Sequence, residues 1–276
     1  MAERTERTER ETLFWERVAD GVVLLTLNRP DRGNGVVPEL ANELLAALTE
    51  LEQDLSVRAL VLTGAGKQFC AGADLKAMRR YLDEQLPLTH EPYNARVLFP
   101  VTQRVVASRL PLIAAINGGA TAGGLDLAMA CDLRIASEAA KLGETYINLG
   151  LPLGNGGAYF MPRLLGSGMA AELALTGEVI NAARALEIGL VNRVVPAEEL
   201  INTAISLASK IASKSWRAVE ATKQALRASW HVDLATSMNN SYWSVAALHY
   251  NPDLSEGINA FLERREPRFN PTIESC

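Results

Sequence analysis

Phe69-Cys70-Ala71-Gly72-Ala73-Asp74-Leu75 is followed, about fifty residues on, by Asn117-Gly118-Gly119-Ala120-Thr121-Ala122-Gly123-Gly124-Leu125-Asp126. Each stretch comes after an apolar strand-like run, Leu60 to Thr63 and Leu112 to Ile116. Small residues at such a place let a ligand approach the main chain and leave backbone N–H groups free to point at it. Two N–H groups converging on one point form an oxyanion hole, which holds the charge that develops on a carbonyl oxygen. Asp126, two residues past the second glycine pair, is placed beside that carbonyl. The combination points to enolate chemistry on an acyl group.

Outward from these stretches, the first two-thirds of the chain alternate strand and helix signals. Val22 to Leu27 is a β-branched and leucine run that stops at Asn28-Arg29-Pro30. Leucines at 40, 44, 45, 48 and 51 share one face of a helix over 38–55. The pattern predicts a helix over 93–108, a strand over 112–116, a short helix over 125–130 and a strand over 133–136. Such alternation implies parallel strands joined by right-handed crossovers around one core. From Gly156 onward helix periods dominate, over 170–176, 182–189, 197–212, 216–228 and 234–249, with a short strand at 190–195.

From about Thr12 to Phe269 the chain resembles the crotonase (enoyl-CoA hydratase/isomerase) family. Four ordered segments carry the likeness: Asn28-Arg29-Pro30, the 69–75 loop, the stretch from Gly118 to Cys131-Asp132, and the tail from Glu256 to Phe269. The resemblance implies an α/β fold of the ClpP/crotonase type. That fold is a spiral of ββα units over 12–195, with a helical C-terminal trimerisation region over 196–276 and a disordered tail over 1–11. It implies an acyl-CoA thioester as substrate, no cofactor beyond the coenzyme A moiety of that substrate, and trimers that pair into hexamers. The family runs several reactions on one scaffold, so the fold does not fix the reaction.

Carried onto this sequence, the oxyanion donors fall on the backbone N–H groups of Ala73 and Gly123, and the first catalytic carboxylate on Asp126. The family's hydratases usually place glutamate there, longer by one methylene or about 1.5 Å. The second carboxylate falls on Tyr146, whose reference pKa near 10 bars it from acting as a base near neutrality without a large shift. Tyr146 remains suited to donating a hydrogen bond. Glu144 stands two residues earlier. In an extended segment it faces the same side and substitutes for the missing acid; in a helical one it does not, and a capping or surface role is the alternative. Gly154 and Asn155 occupy a place where several isomerases and the dehalogenases of the family carry an aspartate as working acid or nucleophile, which weighs against aryl dehalogenation by carboxylate attack. Asn155 reads as a turn residue.

Coenzyme A contacts are expected from Arg29 and Arg32, and from Ala71, Gly72, Asp74 and Leu75 along the thioester arm, with Lys76 a further cation. The family's alanine-leucine-asparagine run is replaced by Gly33-Asn34-Gly35-Val36-Val37, which leaves the shape of that loop open. His90, His231 and His249 are scattered without metal spacing, and no metal is expected. Tyr93, Phe99, Tyr159 and Phe160 read as core aromatics or as walls of an acyl pocket.

With 276 residues, 48% of them apolar, the chain can bury a sizeable core in one domain. A net charge of −5 argues against nucleic acid as a partner. Cys70, Cys131 and Cys276 show no paired spacing and read as free thiols of a reducing cytoplasm. The charged Glu-Arg-Thr repeat at the start has no apolar core of a signal peptide. No run of about 18 apolar residues occurs, so no membrane span is expected. The reading that follows is an enoyl-CoA hydratase or isomerase. The alternatives are a C–C hydrolase or decarboxylase of a β-keto or malonyl-type acyl-CoA, and a non-catalytic acyl-CoA-binding protein.

Overall fold

The computed structural model describes residues 7–84 and 92–270. Among these, seven strands form the larger sheet: β1 (Arg7–Glu9), β2 (Leu13–Ala19), β3 (Val22–Leu27), β4 (Ala59–Gly64), β6 (Leu112–Ile116), β8 (Leu133–Ser137) and β11 (Arg193–Val195), in that order across it. β1, β2 and β3 pair antiparallel, and every later pair is parallel. A smaller sheet has the order β10 (Ile180–Asn181), β9 (Lys141–Gly143), β7 (Gly119–Thr121), β5 (Gln68–Cys70). Successive turns of the chain place one strand in each sheet. β4 and β5 lead to α2 (Leu75–Asp83), β6 and β7 to α5 (Gly123–Ala130), and β8 and β9 to α6 (Gly157–Leu165). This is the expected spiral of ββα units.

The central strands are buried on both faces, as interior parallel strands must be. Side chains alternate along them. Val23, Leu25, Leu27, Leu60, Leu62, Leu112 and Ile116 enter the main core, shared with α1 (Pro38–Gln53), α3 (Tyr93–Val97) and α4 (Phe99–Ala107). Val22, Leu24, Val61, Ile113 and Ile135 face the other way, against Leu200, Ala204, Ala208 and Ala212. The helix expected over 93–108 is divided at Leu98, with Pro100 in the first turn of α4. A proline has no N–H for an interior helical bond but fits a first turn.

The C-terminal half adds α7 (Ser167–Thr176), α8 (Ala182–Glu187), α9 (Leu200–Ala212), α10 (Trp216–Ala228), α11 (Leu234–Leu248) and α12 (Pro252–Glu263). The helical region expected from 196 begins as a layer of the core, because α9 covers the sheet with alanines four residues apart. α10 is tied to the spiral by charge. Lys223 Nζ is 2.8 Å and Arg227 Nη2 3.2 Å from the Asp132 carboxylate, which also accepts the Leu112 N–H. The motif ending Cys131-Asp132 is therefore a structural tether.

Two expectations need correction. The tail read as disordered over 1–11 is ordered from Arg7: β1 pairs with β2, and the Arg7 guanidinium lies 3.7 Å from the Phe14 ring centroid. Alternating Arg-Thr-Glu residues serve a solvated edge strand as well as a coil. The strand read over 190–195 holds only from Arg193 to Val195. Among the described residues, no helix is long and apolar enough to cross a membrane. Ala204→Leu is expected to lower stability by about 1–3 kcal/mol by overpacking α9 against the sheet. A lower urea midpoint with an unchanged slope would show it.

Candidate active site

The first loop is held by a bridge to Val36. Val36 N–H donates to the Gly72 carbonyl at 2.7 Å and Asp74 N–H to the Val36 carbonyl at 3.1 Å. Amides alternate in direction along such a segment, so the Ala73 N–H points away from Val36. The second loop turns sharply at Ala122, which has φ 46° and ψ −124°, and Gly123 opens α5. Such a backbone is strained for a residue with a Cβ, and strain of this kind gathers at functional sites. Among the described residues, neither the Ala73 nor the Gly123 N–H donates to a backbone carbonyl.

The loops touch. A Cβ on Gly72, which has φ +85°, would stand 2.9 Å from the Gly123 nitrogen, and one on Gly124 would stand 1.9 Å from the Cys70 carbonyl oxygen. The glycines thus serve close packing of backbone on backbone as well as approach to a ligand. Ala73 and Ala122 border a cleft of about 510 Å³ that Ala71, Leu75, Arg32, Lys76 and Tyr146 also line. Two larger apolar grooves, of about 880 and 770 Å³, lie among the C-terminal helices, and none of these residues lines them.

Tyr146 and Asp126 meet directly. The Tyr146 hydroxyl donates to Asp126 Oδ2 at 2.6 Å, and Asp126 has no exposed surface. Burial pushes the Asp126 carboxyl up to about 8, against the pull of the Tyr146 hydroxyl and the Gly157 N–H. Glu144 is equally buried. Burial first, and the Asp126 charge second, hold its carboxyl well above the usual carboxylate range. Burial likewise raises the Tyr146 phenol, and the two acids add to it. Glu144 precedes a short 3-10 turn over Thr145–Leu149, so the segment is not extended, yet both 144 and 146 reach Asp126.

Arg29 departs from its expected place at coenzyme A. Its guanidinium is 3.0 Å from Asp74 and donates to the Gly35 carbonyl, so it splints the 33–37 segment to the first loop and does not line the cleft. Asp74 borders the cleft but also caps α2 through the Lys76 and Ala77 amides. Burial opposes its ionisation, but those amides and Arg29 outweigh it and hold the carboxyl low. The cations that face the cleft are Arg32 and Lys76.

The loop left open in the sequence is fixed by Asn34, fully buried at φ 53°. Its side chain accepts the Arg29 N–H at 2.8 Å and donates to Ala65 and Gln68 carbonyls at 3.0 and 2.7 Å. Sequence reasoning missed this role, although a lone asparagine between two glycines is a signal for a left-handed turn. Asn155 does sit in such a turn, at φ 44°, with its amide buried and without a partner. Tyr159 stacks on His231, with Oη 2.6 Å from Nε2, and Tyr93 and Phe160 are core residues. None of them, nor Phe99, lines the cleft. His90 lies outside the described residues. Among the described residues, no group of three or more His, Cys, Asp or Glu is placed to hold a metal ion.

A model of the enoyl-CoA hydratase/isomerase family matches residues 17–272. The chain belongs to that family. It is 37% identical over 259 residues to a probable enoyl-CoA hydratase of Mycobacterium bovis, covering 94% of this chain and 98% of that protein. A short-chain-enoyl-CoA hydratase of Clostridium acetobutylicum is 38% identical over 247 residues, covering 89% of this chain and 92% of the relative. The crystal structure of an enoyl-CoA hydratase from Bacillus anthracis superposes with a TM-score of 0.89 at 38% identity, covering 94% of this chain and 99% of that one.

Within this family member, the two buried acids set a pH signature. A carboxyl raised in the folded state holds its proton more tightly there than in the unfolded chain. Asp126 therefore costs stability as pH climbs from its unfolded value of 3.8 through about 8. Asp126→Asn is expected to flatten that decline and to raise Tm at pH 8. Thermal denaturation from pH 5 to 9 measures it, and an unchanged slope would contradict the burial argument.

Proposed function

We propose that this protein binds an enoyl-CoA thioester in the cleft beside Ala73 and Tyr146 and moves a proton at its α-carbon, as a double-bond isomerase or a hydratase. One observation carries the reading: two amides without backbone partners, on loops that touch, stand beside a buried carboxyl that reaches the cleft through one hydroxyl. The thioester oxygen accepts from Ala73 and Gly123, each donor contributing about 3 kcal/mol to the enolate by the cost of deleting one elsewhere. The positive end of α5 adds to them. Asp126 is the group that keeps the mobile proton. Arg32 and Lys76 face the phosphates, with Ala71, Gly72 and Leu75 along the thioester arm. The reaction draws on no cofactor beyond the coenzyme A of the substrate.

Isomerisation takes a proton from one carbon and returns it to another, so a single path suffices, and this site has a single path. Hydration is the second reading. The names of the relatives favour it, as does a second carboxyl, Glu144, next to Asp126. Incubation with crotonyl-CoA and with a 3-enoyl-CoA, followed by chromatography, separates them. We expect the 3-enoyl-CoA to give the 2-enoyl-CoA, and Asp126→Asn to lower kcat about 100-fold or more with little change in KM. A 3-hydroxyacyl-CoA as sole product would favour hydration. No turnover of either thioester would sink the proposal.

We further place the protein in the cytoplasm as a trimer or a dimer of trimers. α11 buries none of its residues in the single chain, and Met238, Trp243 and Val245 lie bare along it. Apolar surface of that extent fits an interface between copies of the chain. Native mass spectrometry is expected to show a hexamer of about six 29.9 kDa chains; a stable monomer would refute it.

A further inference from the structure

Asp126 has no exposed surface, whereas Tyr146, 2.6 Å in front of it, lines the cleft. A Cβ on Gly123 would stand 3.3 Å from the Tyr146 hydroxyl oxygen. The phenol thus sits next to the amide meant for the thioester oxygen, where an α-carbon would lie. Behind it, a Cβ on Gly157 would stand 2.8 Å from Asp126 Oδ1 and 3.5 Å from the Glu144 carboxyl carbon. The two acids therefore flank one small point. Among the described residues, Asp126 Oδ1 and both Glu144 oxygens are buried with no hydrogen-bond partner.

Two carboxylates in such a place cannot both be charged. Among the described residues, no cation acts on either of them. The titratable groups that face the cluster are Tyr146 and, from β5, Cys70, whose thiol burial pushes up to about 11 and so keeps neutral. Asp126 is the better seat for a charge. The Tyr146 hydroxyl donates to it, and among the described residues nothing donates to Glu144.

We propose that the Tyr146 phenol meets the substrate's α-hydrogen, that Asp126 draws the phenol's own proton from behind, and that Glu144 stays protonated as the neutral partner. This rests on the enolate reading above. In the step, the α-carbon–hydrogen bond breaks and its electron pair passes into the enolate held at Ala73 and Gly123. The proton binds Tyr146 Oη as the Tyr146 hydroxyl proton moves to Asp126 Oδ2. The reverse movement returns a proton from Tyr146 to carbon. Tyr146 is the catalytic residue here, and at no point is it a free phenolate. Asp126 and Glu144 act through it.

Exchange of the α-hydrogens of butyryl-CoA in heavy water, followed by mass spectrometry, tests the relay apart from any product. The parent protein is expected to exchange them, and Tyr146→Phe to exchange at least about 100-fold more slowly while binding butyryl-CoA and melting as the parent does. A parent that exchanges alongside a Tyr146→Phe variant within tenfold of it overturns the relay and leaves the enolate reading standing. A parent that neither exchanges nor turns over an enoyl-CoA overturns both. Glu144→Gln mimics the neutral acid. The acidic half-maximum of its pH–rate profile should stay within about half a pH unit of the parent's. A fall of that half-maximum by more than one pH unit would show that Glu144 carries the charge in the parent and overturn its assignment.

Discussion

The contact between two stretches of backbone, 69–75 and 118–124, is the constraint on which this structure depends. At Gly124 the Cys70 carbonyl comes so close that any side chain would strike it. That approach is possible because β5 and β7 are neighbours in the small sheet, and because each lies one spiral turn from the next. Backbone held by a sheet moves little, so the amides at 73 and 123 keep their relation without any side chain to aim them. Donors fixed in this way are at their most effective where charge develops, because they need no reorganisation.

The same rigidity explains how two acids persist in an apolar interior. The carboxyls of Asp126 and Glu144 are held there by α5 and by the turn after β9, and no arginine or lysine among the described residues relieves them. An arrangement that costs stability yet survives in a well-packed core is more economically read as function than as scaffold. Asp132 makes the contrast. It is tied to Lys223 and Arg227, and its role is to dock a helix. Close together in sequence, Asp132 is paired with two cations and Asp126 with none among the described residues, and only Asp126 is bonded to the group that lines the cleft.

The alternation of short apolar runs with helix periods made the spiral legible in the sequence, because β3, β4 and β6 are buried on both faces and read as nearly unbroken apolar stretches. The small sheet was not legible. β5, β7 and β9 are three residues long, too brief for any period to show. The role of Arg29 was hidden for another reason. An arginine beside a phosphate-binding loop has the same composition whether it faces the phosphate or an aspartate forty-five residues away, and Asp74 claims it.

The direct bond between 126 and 146 was not legible because no spacing rule joins positions 20 residues apart across two strands. At 126 the acid is short by a methylene, and at 146 a carboxylate gives way to a phenol. Taken together these changes compensate: the shorter acid recedes, and the longer side chain spans the distance back to the cleft. The 2.6 Å bond between them is that compensation made visible. The two positions thus form one arrangement, in which Asp126 is kept dry and Tyr146 stands between it and the cleft.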